Sequence, residues 1–511
     1  MSLPDEPLTR KEQYLSNIAG QGGNLPEEPL TRVEQYLDYI ARNGGGGSVD
    51  ITIDSVPTQG STNAVSSGGV YAALVGKQDA LTFDTAPTEG SDNPVTSDGL
   101  YIALNKLKTH IYAFHIDDSE SDPSAKVTYL EDAKNMVSAH MDYVTGKFDY
   151  GSWKNAFFMP RPCMVLQEGV VDYYLDPDDY TKKDDGTASD IADTSYAGNA
   201  MMEWGQNRKK IWYKVVPDPG DVTSGTVYIA DDQMDSGYHA WSFINNQGEL
   251  VDHFYTPIYN GSSVNDGTND VMRSMSGLAV SQSLSGTVER DRCLANNKGS
   301  EVLWYTEVMS DRILINFLLI LMGKSTDTQT VFGRGLDSGS QTALNAYRTG
   351  ALNDKGLFFG YNDGNHGVKV FGMENWWGAQ WRRIAGYIKN GSDQLIKLTY
   401  GRQDGSTADG YNTDGSGYIN MGITPTGTNG GYIDQMNFNE YGMFGKNSSG
   451  SSSTHFCDGQ WFNNSATTYA LFGGSSDGRL LCGAFYCNLN YTVSIAYWHF
   501  GVALSYRPKK Q

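Results

Sequence analysis

Charge is scarce in this chain, and what there is leans acidic. Asp, Glu, Lys and Arg make up 19 % of the 511 residues, and 38 basic against 59 acidic side chains leave a formal charge of −21. That balance excludes phosphate-tracking nucleic-acid binding and attachment to an anionic membrane surface, both of which need a basic face. Long apolar runs are also missing. The longest, Ile313 to Met322 (ILINFLLILM), is about half of what a bilayer requires, so it reads as a buried helix and no membrane insertion is expected. The start, MSLPDEPLTRKEQ, lacks a basic stretch followed by an apolar one, so no secretory signal is visible. Five cysteines (Cys163, Cys293, Cys457, Cys482, Cys487) are too few, and odd in number, for a disulfide scaffold. The chain reads as made in a reducing cytoplasm, with release by cell lysis still open.

Glycine and aromatics are what it has instead. There are 59 Gly and 32 Tyr, and aromatics reach 12 %, a composition foreign to disordered chains and coiled coils. The length suggests roughly three or four domains and ample material for a core.

Internal repeats organise the first hundred residues. Leu3-Pro-Asp-Glu-Pro-Leu-Thr-Arg-Lys-Glu-Gln-Tyr-Leu15 returns 22 residues later as Leu25-Pro-Glu-Glu-Pro-Leu-Thr-Arg-Val-Glu-Gln-Tyr-Leu37. In each copy Thr9 or Thr31, followed by Glu12 or Glu34, makes a capping box, and Gly20 or Asn43-Gly44 closes the helix. Helices this short bury one narrow stripe (Leu15, Ile18, Ala19; Leu37, Ile40, Ala41) and are marginal alone, so residues 1–48 are expected to dock on a partner. The run Gly44–Gly47 is a flexible joint.

A second repeat has a period of 30. Pro57-Thr-Gln-Gly-Ser-Thr-Asn-Ala-Val-Ser-Ser-Gly-Gly-Val-Tyr-Ala-Ala-Leu74 is matched by Pro87-Thr-Glu-Gly-Ser-Asp-Asn-Pro-Val-Thr-Ser-Asp-Gly-Leu-Tyr-Ile-Ala-Leu104. Each copy predicts an extended lead-in, a Gly/Asn turn and one or two helical turns. Units this small cannot bury a core as monomers, which implies lateral association over 49–108. The wording PTxGSxNxVxSxGxYxAL resembles the stalk repeats of bacteriophage tail fibres.

Beyond Thr109 the repeats stop. Lys210–Val216, Thr226–Ala230 and Gly501–Tyr506 predict strands, Asp311–Met322 a buried helix and Lys134–Met141 a second helix, while 401–435 and 446–475 predict long loops. The expectation is one α+β head over 109–511, with 109–195 as a possible subdomain boundary.

Chemical motifs are sparse. Asp117-Asp118-Ser-Glu120-Ser-Asp122 is either a calcium loop or a solvated turn, and it lacks the Gly and distal Glu of the former. Asp176-Pro-Asp178-Asp179 with Lys182-Lys183-Asp184-Asp185 favours a salt-bridged loop. Eight scattered His show no zinc spacing, and no nucleophile elbow or P-loop is present, so no metal, cofactor or catalytic residue is assigned. Two stretches stand out. Asn375-Trp376-Trp377-Gly-Ala-Gln-Trp381-Arg382-Arg383 packs three Trp into six residues, a density more typical of core than of a ligand site. From Gly473 to Pro508, framework-like positions (Gly473-Gly474, Gly483-Ala484-Phe485, Trp498, Gly501-Val-Ala-Leu-Ser505) alternate with Arg479, Leu481, Tyr486, Asn488, Asn490, Tyr491, Ile495, Tyr497, His499 and Phe500, which follow no polarity pattern.

This last stretch resembles the variable proteins of diversity-generating retroelements, phage tail proteins that display hypervariable residues on a C-type lectin fold. In that family mutation at template adenines scatters Asn codons into Tyr, His, Ile, Phe, Ser, Asp and others, and the mixture Asn488, Asn490, Tyr491, Ile495, Tyr497, His499 and Phe500 is what that scatter implies. Trp498 cannot arise from an Asn codon in this way and fits a fixed framework position. Met202-Glu-Trp204, Lys210-Ile-Trp-Tyr-Lys-Val215 and the Trp376–Arg383 motif are also similar to the family's head.

The resemblance implies several things. The head would be C-type lectin-like, preceded by short helical repeats and a fibre-like stalk. The ten mixed residues would form a ligand-binding face within a variable region of about 473–508. The partners would be a host cell-surface receptor, protein or glycan, and other tail proteins reached through the N-terminal repeats. The assembly would be a homotrimer at the tip of the virion tail, made in the host bacterial cytoplasm, and not an enzyme. Two rival readings remain. One is a tail-borne glycan depolymerase using a carboxylate pair. The other is a formylglycine-generating-type oxidase, because Cys482-Gly-Ala-Phe-Tyr-Cys487 matches that family's cysteine pair in spacing.

Overall fold

The least polar stretch of the chain forms the helix Met309–Gly323, and every one of its residues is buried. Apolar side chains on all sides of a helix leave no stripe for solvent, so the protein must close around it. It ends where Lys324 takes a left-handed conformation, φ 50°. The computed structural model describes residues 52–55, 57–74, 83–85, 93–97, 109–299, 301–398, 414–426, 430–463 and 465–510. The chain divides into two compact units, Met1–Leu104 and Asn105–Gln511. The expected helical repeats of 1–48 lie outside the described residues.

Within the first unit both period-30 repeats use one wiring scheme. Ile53–Asp54 pairs in parallel with Ala64–Val65, and Asp84 bridges Val95 in the same sense. The Ser66 and Thr96 amides donate to the Asp54 and Asp84 carbonyls, each at 3.0 Å. The Asn63 and Asn93 carboxamides donate to the Asp54 and Asp84 side chains at 3.0 and 3.1 Å. In the first copy the turn passes through Gly60 at φ +83° and leads into the helix Ser67–Leu74.

The second unit is mostly sheet with few helices, an α+β arrangement rich in β structure. A four-stranded antiparallel sheet runs in the order Trp212–Asp218, Asp221–Ala230, Ile111–Ile116, Val127–Glu131. Because Ile111–Ile116 is an inner strand of that sheet, 109–195 is not a separate subdomain. A six-stranded sheet is ordered Trp304–Thr306, Leu504–Tyr506, Phe254–Pro257, Gly198–Trp204, Arg161–Leu166, Val171–Tyr174. The chain's last strand is therefore held between two others. A third sheet centres on Trp381–Asn390, which pairs with Asp393–Ile396, with Thr468–Phe472 and, in parallel, with Phe500–Gly501.

Two sequence expectations fail here. Lys134–Met141 is a succession of turns leading into the strand His140–Asp142, with the Ala139 amide donating to the Met322 carbonyl at 2.7 Å. The segment 446–475 is not one long loop, because it contains the strands Gly459–Trp461 and Thr468–Phe472, the latter wholly buried.

A buried ionic network ties these layers together. Glu307 sits 3.6 Å from Arg312 and 3.2 Å from Arg382, Asp311 accepts from Arg507 at 2.5 Å, and Glu289 accepts from Arg383 at 2.7 Å. All seven side chains are at most 1 % exposed. Charges so far from water need partners of opposite sign, and here the partners join the helix Met309–Gly323, the strand Trp381–Asn390 and the helix Gly286–Leu294 with the residues just after two neighbouring strands. The tryptophan-rich motif belongs to the same scaffold. Trp376 and Trp377 are fully buried, and their indole N–H groups donate to Asn316 Oδ1 at 2.9 Å and to the Gly333 carbonyl at 3.0 Å.

Candidate functional site

The stretch from Gly473 to Phe500 has little regular structure, so side-chain packing and a few close backbone approaches must hold it. A Cβ on Gly474 would lie 2.4 Å from the Cys482 Sγ, and one on Gly483 would lie 1.8 Å from Asp458 Oδ1. Neither position tolerates a side chain. Asp458 is itself fully buried and accepts from the Phe485 amide at 2.7 Å, and burial pushes its pKa well up. Further along, the Trp381 amide donates to the His499 carbonyl at 3.0 Å, and the Gln380 carboxamide donates to the Phe500 carbonyl at 3.0 Å. The Arg383 guanidinium donates to the Ile495 carbonyl at 3.1 Å. The Trp381–Arg383 motif thus grips the segment from below through its backbone, where the identity of the segment's side chains does not enter.

Upon this support the ten candidate residues divide by depth. Arg479 and Tyr497 are exposed, the latter by 45 %. Leu481, Asn490, Tyr491, Ile495 and His499 are half-buried. Tyr486, Asn488 and Phe500 are buried, at 4, 7 and 0 % exposure. These three, assigned with the others to the ligand-binding face, are corrected to buried residues that lie beneath it. Trp498, read as a framework position, is half-buried and packs at the edge of a small cluster of Val280, Leu336, Leu344 and Ala379.

Eight of the ten are drawn together by direct packing or by an unbroken chain of neighbours. Leu481, Tyr486, Tyr491, Ile495 and Phe500 share one apolar cluster with Trp381, Leu471 and Trp461. The Tyr491 ring meets Tyr497 edge-on at 5.5 Å, and His499 lies 5.7 Å from Tyr497 and 4.9 Å from Phe500. Arg479 joins Leu481 through a single 3-10 turn. Asn488 and Asn490 act on the backbone instead: Asn488 Oδ1 accepts from the Asn490 amide at 3.0 Å, and Asn490 Oδ1 accepts from the Asn463 amide at 2.5 Å. Two neighbours escaped the sequence reading. Leu480 is 40 % exposed beside Arg479, and the Trp461 indole donates to the Tyr486 hydroxyl at 2.8 Å. Trp461 lay in a segment read as loop, and only its pairing in a strand places it here.

The chemistry of this face is that of contact. Burial lowers the His499 pKa and raises those of Tyr486 and Tyr491, so the imidazole and both phenols are neutral at physiological pH. Cys482 and Cys487 are free, buried thiols whose pKa values burial drives upward, the reverse of what a reactive thiolate requires.

Elsewhere the acidic motifs resolve into turns. Asp117 accepts from the Ser119 amide and hydroxyl at 2.9 and 2.7 Å, and Asp122 from those of Ser124 at 2.8 and 2.7 Å. The 176–186 loop carries a Lys182–Asp179 salt bridge of 2.8 Å. Among the described residues no group of three or more His, Cys, Asp and Glu is placed to hold a metal, and no helix is long and apolar enough to cross a membrane. Neither a family model nor a curated protein sequence matches this chain.

Proposed function

We propose that this chain is a receptor-binding protein of a phage tail tip, a variable protein of a diversity-generating retroelement whose head has a C-type lectin-like fold. The observation that carries the reading is the division of labour between 473 and 508. Backbone groups of that segment are held by the buried residues Gln380, Trp381 and Arg383, while its outward side chains are cationic, aromatic, aliphatic and amide groups with no shared polarity. Where a scaffold holds a segment by its backbone, the side chains displayed outward there can be replaced without loss of that hold, while inward ones such as Tyr486 and Phe500 stay part of the packing. Rigid aromatic anchors interspersed with adaptable polar groups are the composition by which antibody loops bind diverse partners.

The same reading assigns residues 1–48 to tail attachment and 49–108 to a stalk, with three copies per assembly. In the stalk Ile53, Val70 and Tyr71 are exposed by 58, 39 and 71 %. Apolar groups left open at that level on so small a unit favour burial against further copies.

Two measurements test the proposal. Host adsorption should be lost on Tyr491→Ala and Tyr497→Ala while the melting temperature stays nearly unchanged. The coding sequence should have a near-identical copy of its 3′ end nearby, with Asn codons at the variable positions, beside a reverse-transcriptase gene. Full adsorption by both variants would overturn the binding face, and the absence of such a copy would overturn the diversification.

A further inference from the structure

Glu203 is the penultimate residue of the wholly buried strand Gly198–Trp204 and is itself only 5 % exposed. Its Oε1 accepts from the Tyr174 hydroxyl at 3.1 Å and from the Gln206 carboxamide at 3.3 Å, and its Oε2 accepts from the Tyr255 hydroxyl at 2.7 Å. Among the described residues no cation pairs with it. That distinguishes it from Glu289 and Glu307, the buried glutamates of the ionic network, each of which faces arginine. Neutral donors soften the cost of removing a carboxylate from water but do not supply the opposite charge that a desolvated ion calls for.

The carboxylate also lines a cavity of about 410 Å³. Its other walls include His253, Tyr255 and Tyr506, and the exposed side chains of Lys510 and of Lys509, whose Nζ lies 2.9 Å from a Glu301 carboxylate oxygen, stand among its lining groups. One buried carboxylate therefore shares the space with aromatic surface and two exposed positive charges. A ligand complementary to that arrangement carries an ammonium group at one end and an anion at the other.

We propose that this cleft is a second binding site, taking a small zwitterionic amine of the phosphoethanolamine or amino-acid class, with the ammonium on Glu203 and the anionic end toward Lys509 and Lys510. Tyr174 and Gln206 fill Oε1 and Tyr255 takes one site on Oε2, so one ammonium hydrogen can meet the acceptor site left on Oε2, and a charge-assisted bond of this kind is stronger than a neutral one. The site shares no residue with the variable face, so it stands or falls independently of the receptor-binding reading.

The test is calorimetric titration of the full-length protein with O-phosphoethanolamine, ethanolamine and inorganic phosphate as probes. Phosphoethanolamine should bind best, ethanolamine more weakly and phosphate not detectably. Glu203→Gln keeps the shape and loses the charge, and it should weaken both amines by about tenfold or more, equivalent to 1.4 kcal/mol. Because that variant changes a buried residue, a second one keeps the test decisive. Lys509→Gln with Lys510→Gln alters only exposed side chains and should reduce phosphoethanolamine to the ethanolamine level while leaving ethanolamine itself unchanged. Three results would overturn the proposal. One is no binding of any amine to the wild type, and another is equal binding to a folded Glu203→Gln protein. The third is tighter ethanolamine binding in the lysine double variant, which would mean that the chain's own ammonium groups occupy the site.

Discussion

The Phe500 ring lies fully buried 4.9 Å from the Tyr491 ring, edge to face, so that an outward aromatic of the variable segment rests directly on a core aromatic. Phe500 also meets Tyr497 at 5.3 Å and has the Arg383 guanidinium 5.6 Å from its centre. It is the floor of the face and not part of its surface.

From this follows a split among three aromatics of one short segment. Phe500→Ala should destabilise the head by about 3–5 kcal/mol, since it empties a closed site. Tyr497→Ala, at an exposed position, should fall within about 0.5–1 kcal/mol of wild type. Trp498→Ala should lie between them, near 1–2 kcal/mol, because only part of its ring is covered. Denaturant melts of the three variants check the order. A Phe500→Ala protein as stable as wild type would show that the ring does not carry the core contacts described.

How much of this was legible in advance depends on period. The helix Met309–Gly323 could be read because its residues are apolar on every side, and Thr226–Ala230 because it is a short, β-branched run. Thr468–Phe472 was hidden, since five residues of strand sit in a Ser, Asn and Gly-rich stretch whose composition says loop. The variable segment has neither period 2 nor period 3.6, so nothing in the sequence sorts its side chains into inward and outward ones. Phe500 was counted with the binding face for that reason, although its ring is fully buried. Glu203 stands in a noticed motif, Met202-Glu-Trp204, but its hydroxyl partners Tyr174 and Tyr255 come from two other strands.

The repeat wiring makes a prediction about assembly. Asp54–Asn63 and Asp84–Asn93 are contacts internal to each repeat, so the first unit has its own local order. Removing residues 1–108 should leave a folded head with a melting temperature close to that of the full chain, weaker self-association by sedimentation, and no incorporation into virions. A truncated head that unfolds would place the repeats within its core.

Burial raises the Asp311 pKa to about 6 from 3.8, against the opposing pull of Arg507. Between those two values the native state keeps a proton that the unfolded state has released. Stability is therefore lost as the pH rises through that window. Asp311→Asn cannot titrate, so its stability relative to wild type should improve from about pH 4 to about pH 6.5, by an amount of order 3 kcal/mol at most. Parallel urea titrations at the two ends of the range measure the change. A constant difference would mean that the Arg507 ion pair overcomes burial.

Lys369 presents the opposite case on the basic side. Its side chain is fully buried, its Nζ donates to the Leu352 carbonyl at 2.9 Å, and it stands 3.6 Å over the Tyr180 ring. Burial lowers its pKa to about 7 from 10.5, although Glu374, its partner across a two-residue strand pairing, favours the charge. Above about pH 7 the unfolded state binds a proton that the native state does not, so stability rises with pH until the free lysine also titrates. Below that point the ammonium is charged in both states and the full cost of its burial remains. Lys369→Met keeps an unbranched chain and removes the titration, so it should be most favourable relative to wild type near pH 6 and lose that advantage toward pH 9 or 10. Denaturant melts of both proteins across this range provide the test. If the difference grows with pH instead, Glu374 and the Tyr180 ring outweigh desolvation and Lys369 is a stabilising buried cation.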